Sequence, residues 1–516
     1  MSKILTLEIA AVLALSFASG CSDGNDASAA GGFDEGSGGN PGVGQGGAQD
    51  FGQFRDILDN GDIPGPETLD DVGFFNEHKL ELPAADCGND VCVHGELGVM
   101  GNMLNGSNCT LIMIGMNTPI NPAEIERPPL NLAIAVDTSG SMQGEPMDYL
   151  KEGLFRMLDD LQPEDRVTLV GFSGTATLLV DNLAGDDAEL SLAIGNLEAQ
   201  GKTNIYDGLR IAYDAVEAHA DPERQNRVIL LSDGEATAGI VADDKIVAMS
   251  GAYNKEGYSL TTIGIGTDFD PELMRELSES GAGAFYYLED PAAVREVFEE
   301  EVKTFLVPLA KDVTLDLVVD PGYTLRQIYG TKLAEQWGNQ GHIEIPSLQI
   351  AHRTSVSDDE GGRRGGGGAI IVELVPRSPE QVVEAGTIGL LSMSYDVPGT
   401  DETIEQEIKI TTPLAPGETP EAGHFSFAGV QKSFVMLNIF AGFEMAADRA
   451  SFGDDAGALA VLLPLRDGVD GWLADNPDED IDDDLKYIDK FIANLERRGA
   501  TEPPPDQTPP NPWPRD

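Results

Sequence analysis

The stretch NLAIAVDTSGSM, residues 131–142, decides how this chain is read. Residues 132–136 are small and apolar at every position, as a strand buried on both faces requires. The run then ends in Asp137, Ser139 and Ser141, one carboxylate and two hydroxyls at alternate positions. A buried strand that delivers three oxygen donors to one loop points to a site at its carboxyl end, where open α/β sheets bind ligands.

Outward from this stretch, strands and helices alternate. Residues 145–161 read as an amphipathic helix, with Met147, Leu150, Leu154, Met157, Leu158 and Leu161 on one side. Strands follow at 166–172, 176–180, 227–231, 259–265 and 284–288, and helices at 188–197, 205–219, 271–280 and 291–305. Repeated βα units with short apolar strands predict an α/β fold over 128–306. Its sheet is doubly wound and mostly parallel, with helices on both faces. From 307 to 425 the period changes to two, as in Val313, Leu315, Leu317 and Val319, which predicts a β-rich, sandwich-like domain. A helical region at 426–500 and a proline-rich tail at 501–516 complete the C-terminal part. Residues 51–127 read as an N-terminal small α+β region, with two short helices, strands at 91–98 and 110–116, and a proline-rich linker. EGGRRGGGG, residues 360–368, reads as a flexible hairpin loop.

Two further stretches end at equivalent places. GKTNIYDG, residues 201–208, sets Thr203 in a loop just before a helix. VILLSDGEAT, residues 228–237, ends a buried strand at Asp233, followed by Gly234, which suits a tight turn. Two carboxylates and three hydroxyls make an all-oxygen donor set, which hard cations require. Because hydroxyls outnumber charges, the set favours Mg²⁺, with Mn²⁺ or Ca²⁺ as alternatives. Ser139, Ser141 and Thr203 would bind directly; Asp137 and Asp233 would bind directly or orient metal-bound waters. A coordination position left open would accept a carboxylate from a protein partner. Asp207, Glu235 and Asp268 read as loop or capping residues.

DTSGS, with Thr203 and Asp233 following in order on a βα pattern, resembles the von Willebrand factor type A (VWA) domain and its metal-ion-dependent adhesion site, MIDAS. The likeness covers about 130–305. It implies Mg²⁺-dependent binding or adhesion through the acidic side chain of a partner. The flanking stretches FRDILDNGDIPGPETLDDVGFFN (54–76) and FLVPLAKDVTLDLVVDPGYTLRQIYG (305–330) resemble YfbK-type bacterial VWA lipoproteins over about 51–499.

The N-terminus agrees with an exported protein. Lys3, the apolar run 9–18 and Ala18-Ser19-Gly20 before Cys21 read as a lipoprotein signal peptide over 1–21, with Cys21 as the lipidation site. Residues 22–50, rich in Gly and Ser, read as a disordered tether. The expected location is the bacterial cell envelope, as an outer-membrane lipoprotein facing the periplasm or the surface. Of the other cysteines, Cys87, Cys92 and Cys109, two can form a disulfide: Cys87 with Cys92, or either with Cys109. The 89 acidic residues against 32 basic leave a formal charge of −57, which argues against nucleic-acid partners. No sequence signal sets the oligomeric state.

The chain reads as a binding protein and not an enzyme. Its six histidines are scattered. Gly171-Phe172-Ser173-Gly174-Thr175 lacks the final glycine of a nucleophile elbow and joins two strands. The acidic run 475–484 lacks the glycine of a calcium loop and reads as helix-start acids. The alternatives are a metal-dependent hydrolase, or a purely structural envelope protein related to calcium-activated chloride-channel-like proteins.

Overall fold

In the computed structural model the apolar run opens the innermost part of a six-stranded sheet. The structure describes residues 42–44, 51–121, 128–233, 235–265, 270–281, 283, 285–288, 308–350, 369–377, 386–400 and 402–501. The signal and lipidation site at 1–21, the helix at 291–305, the loop at 360–368 and the tail from 502 lie outside them.

Three short elements open the described chain: strand β1 (Val43–Gly44) and helices α1 (Gly52–Asp59) and α2 (Asp71–Glu77). A hairpin of β2 (Cys92–Gly101) and β3 (Asn108–Asn117) follows. The α/β part comprises β4 (Leu130–Asp137), α3 (Glu145–Asp160), β5 (Arg166–Phe172), β6 (Ala176–Ala184), α4 (Ala188–Gly195), α5 (Ile205–Ala218), β7 (Gln225–Ser232), α6 (Asp243–Asn254), β8 (Ser259–Ile265), α7 (Pro271–Ser280) and β9 (Phe285–Leu288). The sheet order is β6-β5-β4-β7-β8-β9. All pairings are parallel except β5 with β6.

Strand β4 shows why its sequence is apolar throughout. Leu132, Ile134 and Val136 face α3 and α4, while Ala133 and Ala135 face α5. Successive side chains point to opposite faces, and both faces are covered. On α3, Met147, Leu150, Leu154 and Met157 recur at helical spacing and are buried against the sheet. On α5, Gly208 permits close approach: a Cβ there would meet Phe172 Cδ1 of β5 at 2.5 Å.

The C-terminal part contains β10 (Pro308–Val319), β11 (Tyr323–Tyr329), β12 (Ala334–Trp337), β13 (Gln340–Ile350), β14 (Ile370–Pro376), β15 (Thr387–Asp396), β16 (Thr403–Thr411) and β17 (His424–Phe425). Helices α8 (Val430–Ser451), α9 (Asp455–Asp475) and α10 (Glu479–Arg497) follow. Two antiparallel sheets form a sandwich. One is ordered β1-β13-β10-β15-β16, with β12 on β13; the other is β11-β14-β3-β2-β17. Val313, Leu315, Leu317 and Ile343 of the first sheet meet Val93, Leu97, Ile112 and Ile114 of the second.

The second sheet corrects the expected division of the chain. Residues 51–127, 307–425 and 426–500 are not three separate regions, because their described parts pack as one body. Hairpin β2–β3 sits between β14 and β17. Leu111 and Met113 of β3 turn away from the sandwich core onto α8–α10, where α1 and α2 also pack. A two-stranded hairpin is marginal alone, and this one is apolar on both faces, so it needs a layer on each side. At residues 42–44 the tether reading is corrected as well. Val43, within 22–50, is fully buried, and β1 pairs with the end of β13. One apolar residue with a free backbone edge is sufficient to extend a sheet, and composition does not reveal that.

Cys87 is bonded to Cys92, while Cys109 is a buried free thiol. Burial, with Glu373 nearby, pushes that thiol well above its ordinary pKa. The acids of 475–484 cap and pair, as their place at a helix start suggests. Asp478 caps α10, Asp480 holds Lys432, and Asp484 Oδ2 lies 2.7 Å from His78 Nε2. Among the described residues no helix is long and apolar enough to cross a membrane.

Candidate metal site at the carboxyl end of the sheet

Four loops meet beyond the carboxyl ends of β4, β5 and β7, and backbone hydrogen bonds set their spacing. Thr138 N donates to Phe172 O at 2.7 Å, and Gln200 N to Thr138 O at 2.7 Å. Gly140 N donates to Gly201 O at 3.1 Å. Thr237 N and Ala238 N both donate to Thr203 O, at 2.8 and 3.0 Å, and Thr203 N donates to Thr237 Oγ1. The peptide groups of these loops are therefore largely used before any ligand arrives.

The side chains form a continuous run of oxygens. Asp137, fully buried, accepts from Ser139 N at 2.7 Å through Oδ1 and from Ser232 Oγ at 2.6 Å through Oδ2. Ser139 Oγ lies 2.9 Å from Ser141 Oγ, which donates to Asp233 Oδ1 at 2.9 Å. Four of the five sequence-predicted residues, Asp137, Ser139, Ser141 and Asp233, are thus linked directly. Thr203, 4% exposed, reaches the same rim through its backbone contacts to the Thr237 loop and through the Gly140–Gly201 bond.

Burial raises the Asp137 pKa above the usual carboxylate value, and the hydrogen bonds from Ser232 and Ser139 oppose that shift. Its charge therefore needs more support than these neighbours supply. The donor spacing suits a cation that requires six oxygens. Oxygens about 2.1 Å from Mg²⁺ in octahedral geometry stand roughly 3 Å apart along each edge. The two serine-centred separations of 2.9 Å match that edge. Among the described residues no three His, Cys, Asp or Glu side chains gather to hold a metal. The set here has only two carboxylates and relies on hydroxyls.

Ser232 is the residue that sequence reasoning missed. It precedes Asp233 on a strand otherwise apolar from Val228, and a hydroxyl at the end of such a run was the available signal. Asp207 acts as a local anchor, as expected. It accepts from Ala176 N at 3.0 Å and pairs with Arg210, and these contacts hold its pKa below the ordinary carboxylate value. Gly234 and Asp268 lie outside the described residues. Ser173 sits in the β5–β6 turn, where its carbonyl accepts from Asn204 N at 2.8 Å.

With this geometry in hand, residues 131–300 match the family model of the von Willebrand factor type A domain. The chain carries a VWA domain. YfbK of Escherichia coli (strain K12), an uncharacterized protein, is 28% identical over 201 residues, 38% of this chain and 35% of YfbK. Human inter-alpha-trypsin inhibitor heavy chain H3 is 31% identical over 183 residues, 33% of this chain and 19% of that protein. The matched segments thus span about a third or less of these relatives. A solved VWA protein from Catenulispora acidiphila shares the fold with a TM-score of 0.50 and 17% identity, over 75% of this chain and 88% of that one.

Proposed function

We propose that the VWA domain binds a protein partner through Mg²⁺ held by Asp137, Ser139, Ser141, Thr203 and Asp233. The hydrogen-bonded run Asp137–Ser139–Ser141–Asp233 at the carboxyl end of the sheet carries this reading. Bound there, a hard dication would supply a Lewis-acid position for an acidic side chain of the partner. The protein's own part is to pre-position the donors. Ser232 and the Ser139 amide orient the Asp137 carboxylate, and the Thr237 loop fixes Thr203. With the three hydroxyls as direct donors and the carboxylates of Asp137 and Asp233 holding metal-bound waters, the ion would be left incompletely neutralised by its direct ligands and would attract an incoming carboxylate.

The test is crosslinking and capture of partners from cells of origin, with Mg²⁺ against EDTA. Partners captured by the intact chain should be lost with EDTA and lost with Asp137→Ala. Equal capture under either condition removes the reading. The protein is further proposed to be an exported envelope lipoprotein anchored at Cys21, on the strength of the apolar run and small residues that precede that cysteine. Cys21→Ala should move the protein from the membrane fraction to the soluble fraction; retention in the membrane fraction would remove the anchor.

A further inference from the structure

Among the described residues, the VWA domain and the sandwich–helix body do not share a core: none of the four apolar clusters contains side chains from both. Polar contacts across the boundary run through Arg275 on α7. Its guanidinium carbon lies 5.5 Å from the centre of the Phe285 ring, inside the VWA domain. Across the boundary, Nη1 donates to Glu67 O at 3.4 Å, and Nε stands 3.5 Å from Asp70 Oδ2. These are long contacts for charged partners. Arg275 is 9% exposed, yet its Nε and Nη2 have no hydrogen-bond partner.

Each side of this contact is supported without the other. Asp70 caps α2 by accepting from Val72 N and Gly73 N, both at 3.3 Å, and Lys332 Nζ lies 3.8 Å away. Asp71 accepts from Gly330 N at 2.8 Å and pairs with Lys332, so the acidic pair is tied to the body by its own cation. Arg275 keeps its place over Phe285, and water can serve its free N–H groups once it is exposed. Among the described residues, separation therefore exposes no apolar core and strands no charge. An interface of this kind permits relative domain motion.

We infer that Arg275, set against Asp70 and the Glu67 carbonyl, is a releasable latch, and that the VWA domain swings away from the body when it opens. This goes beyond the binding reading and does not depend on the metal. Two variants of the full chain test it. Arg275→Ala removes the cation. Asp70→Asn removes the charge on the other side, keeps a good helix cap and leaves the VWA domain untouched. In both, amides of residues 65–73 and 271–280 should exchange about ten- to a hundredfold faster. The radius of gyration in solution should rise, and the melting transitions of both parts should stay in place. If Asp70→Asn leaves either the exchange rates or the radius unchanged, the latch is overturned. Loss of protection throughout α8–α10 or β4–β8 in that variant overturns it equally, because the contact would then be part of a core.

Discussion

Mg²⁺ at about a hundredfold excess over its dissociation constant should stabilise the VWA domain by about 2.7 kcal/mol, and Asp137→Ala should abolish that gain. Calorimetric melting of the full chain, in EDTA and across a Mg²⁺ series, reads it directly. Asp137 links the set: its two oxygens hold the Ser139 amide and the Ser232 hydroxyl, and Ser139 leads on to Ser141 and Asp233. Its loss removes a charge and the orientation of two neighbours together. Asp207→Ala is the matching control, because that carboxylate serves Ala176 N and Arg210 and not the oxygen run. It should keep the full Mg²⁺ response. A response that persists in Asp137→Ala would place the cation elsewhere on this acidic chain.

Arg55→Ala should cost the body about 3–5 kcal/mol, the usual penalty for leaving one member of a buried ion pair alone. Arg55 Nη1 and Nη2 donate to Glu77 Oε2 and Oε1 at 2.6 and 3.0 Å, and Phe51 N donates to Oε1 at 3.1 Å. The Glu77 side chain is fully buried, in a layer of aromatic rings that includes Phe51, Phe54, Phe74 and Phe443. Water cannot easily replace the guanidinium there. Denaturant unfolding followed by the helical signal gives the loss as a lower midpoint. Arg55→Met combined with Glu77→Met should recover most of it, since no charge is then left buried. Arg55→Met alone keeps an apolar stem but leaves Glu77 buried without its partner; if it unfolds like the double variant, packing of the arginine stem is what matters and the ion-pair account fails.

The two sites differ in how far they can be read from the chain alone. Asp137, Ser139 and Ser141 lie within five residues of one another, at the end of a strand whose burial is written in its own apolar run. Thr203 and Asp233 occupy equivalent places in their own βα units. Local periodicity therefore placed the α/β domain and brought the candidate donors to one edge, because a parallel sheet aligns its carboxyl ends whatever the rest of the chain does. The Arg55–Glu77 pair was invisible, since nothing local distinguishes a buried pair from a solvated one.

By itself, then, the sequence determined the VWA fold and the composition of its oxygen site, both properties of short segments with a clear period. Only the tertiary structure decided that the described parts of 51–121, 308–425 and 426–501 form one body, that Val43 joins a sheet, and that Ser232 supports Asp137. It also decided that Arg275 faces Asp70. Those facts depend on pairings such as His78 with Asp484, 406 residues apart. A hairpin that is apolar on both faces records that it must be covered, but which distant segment covers it is settled by the packing of the whole chain.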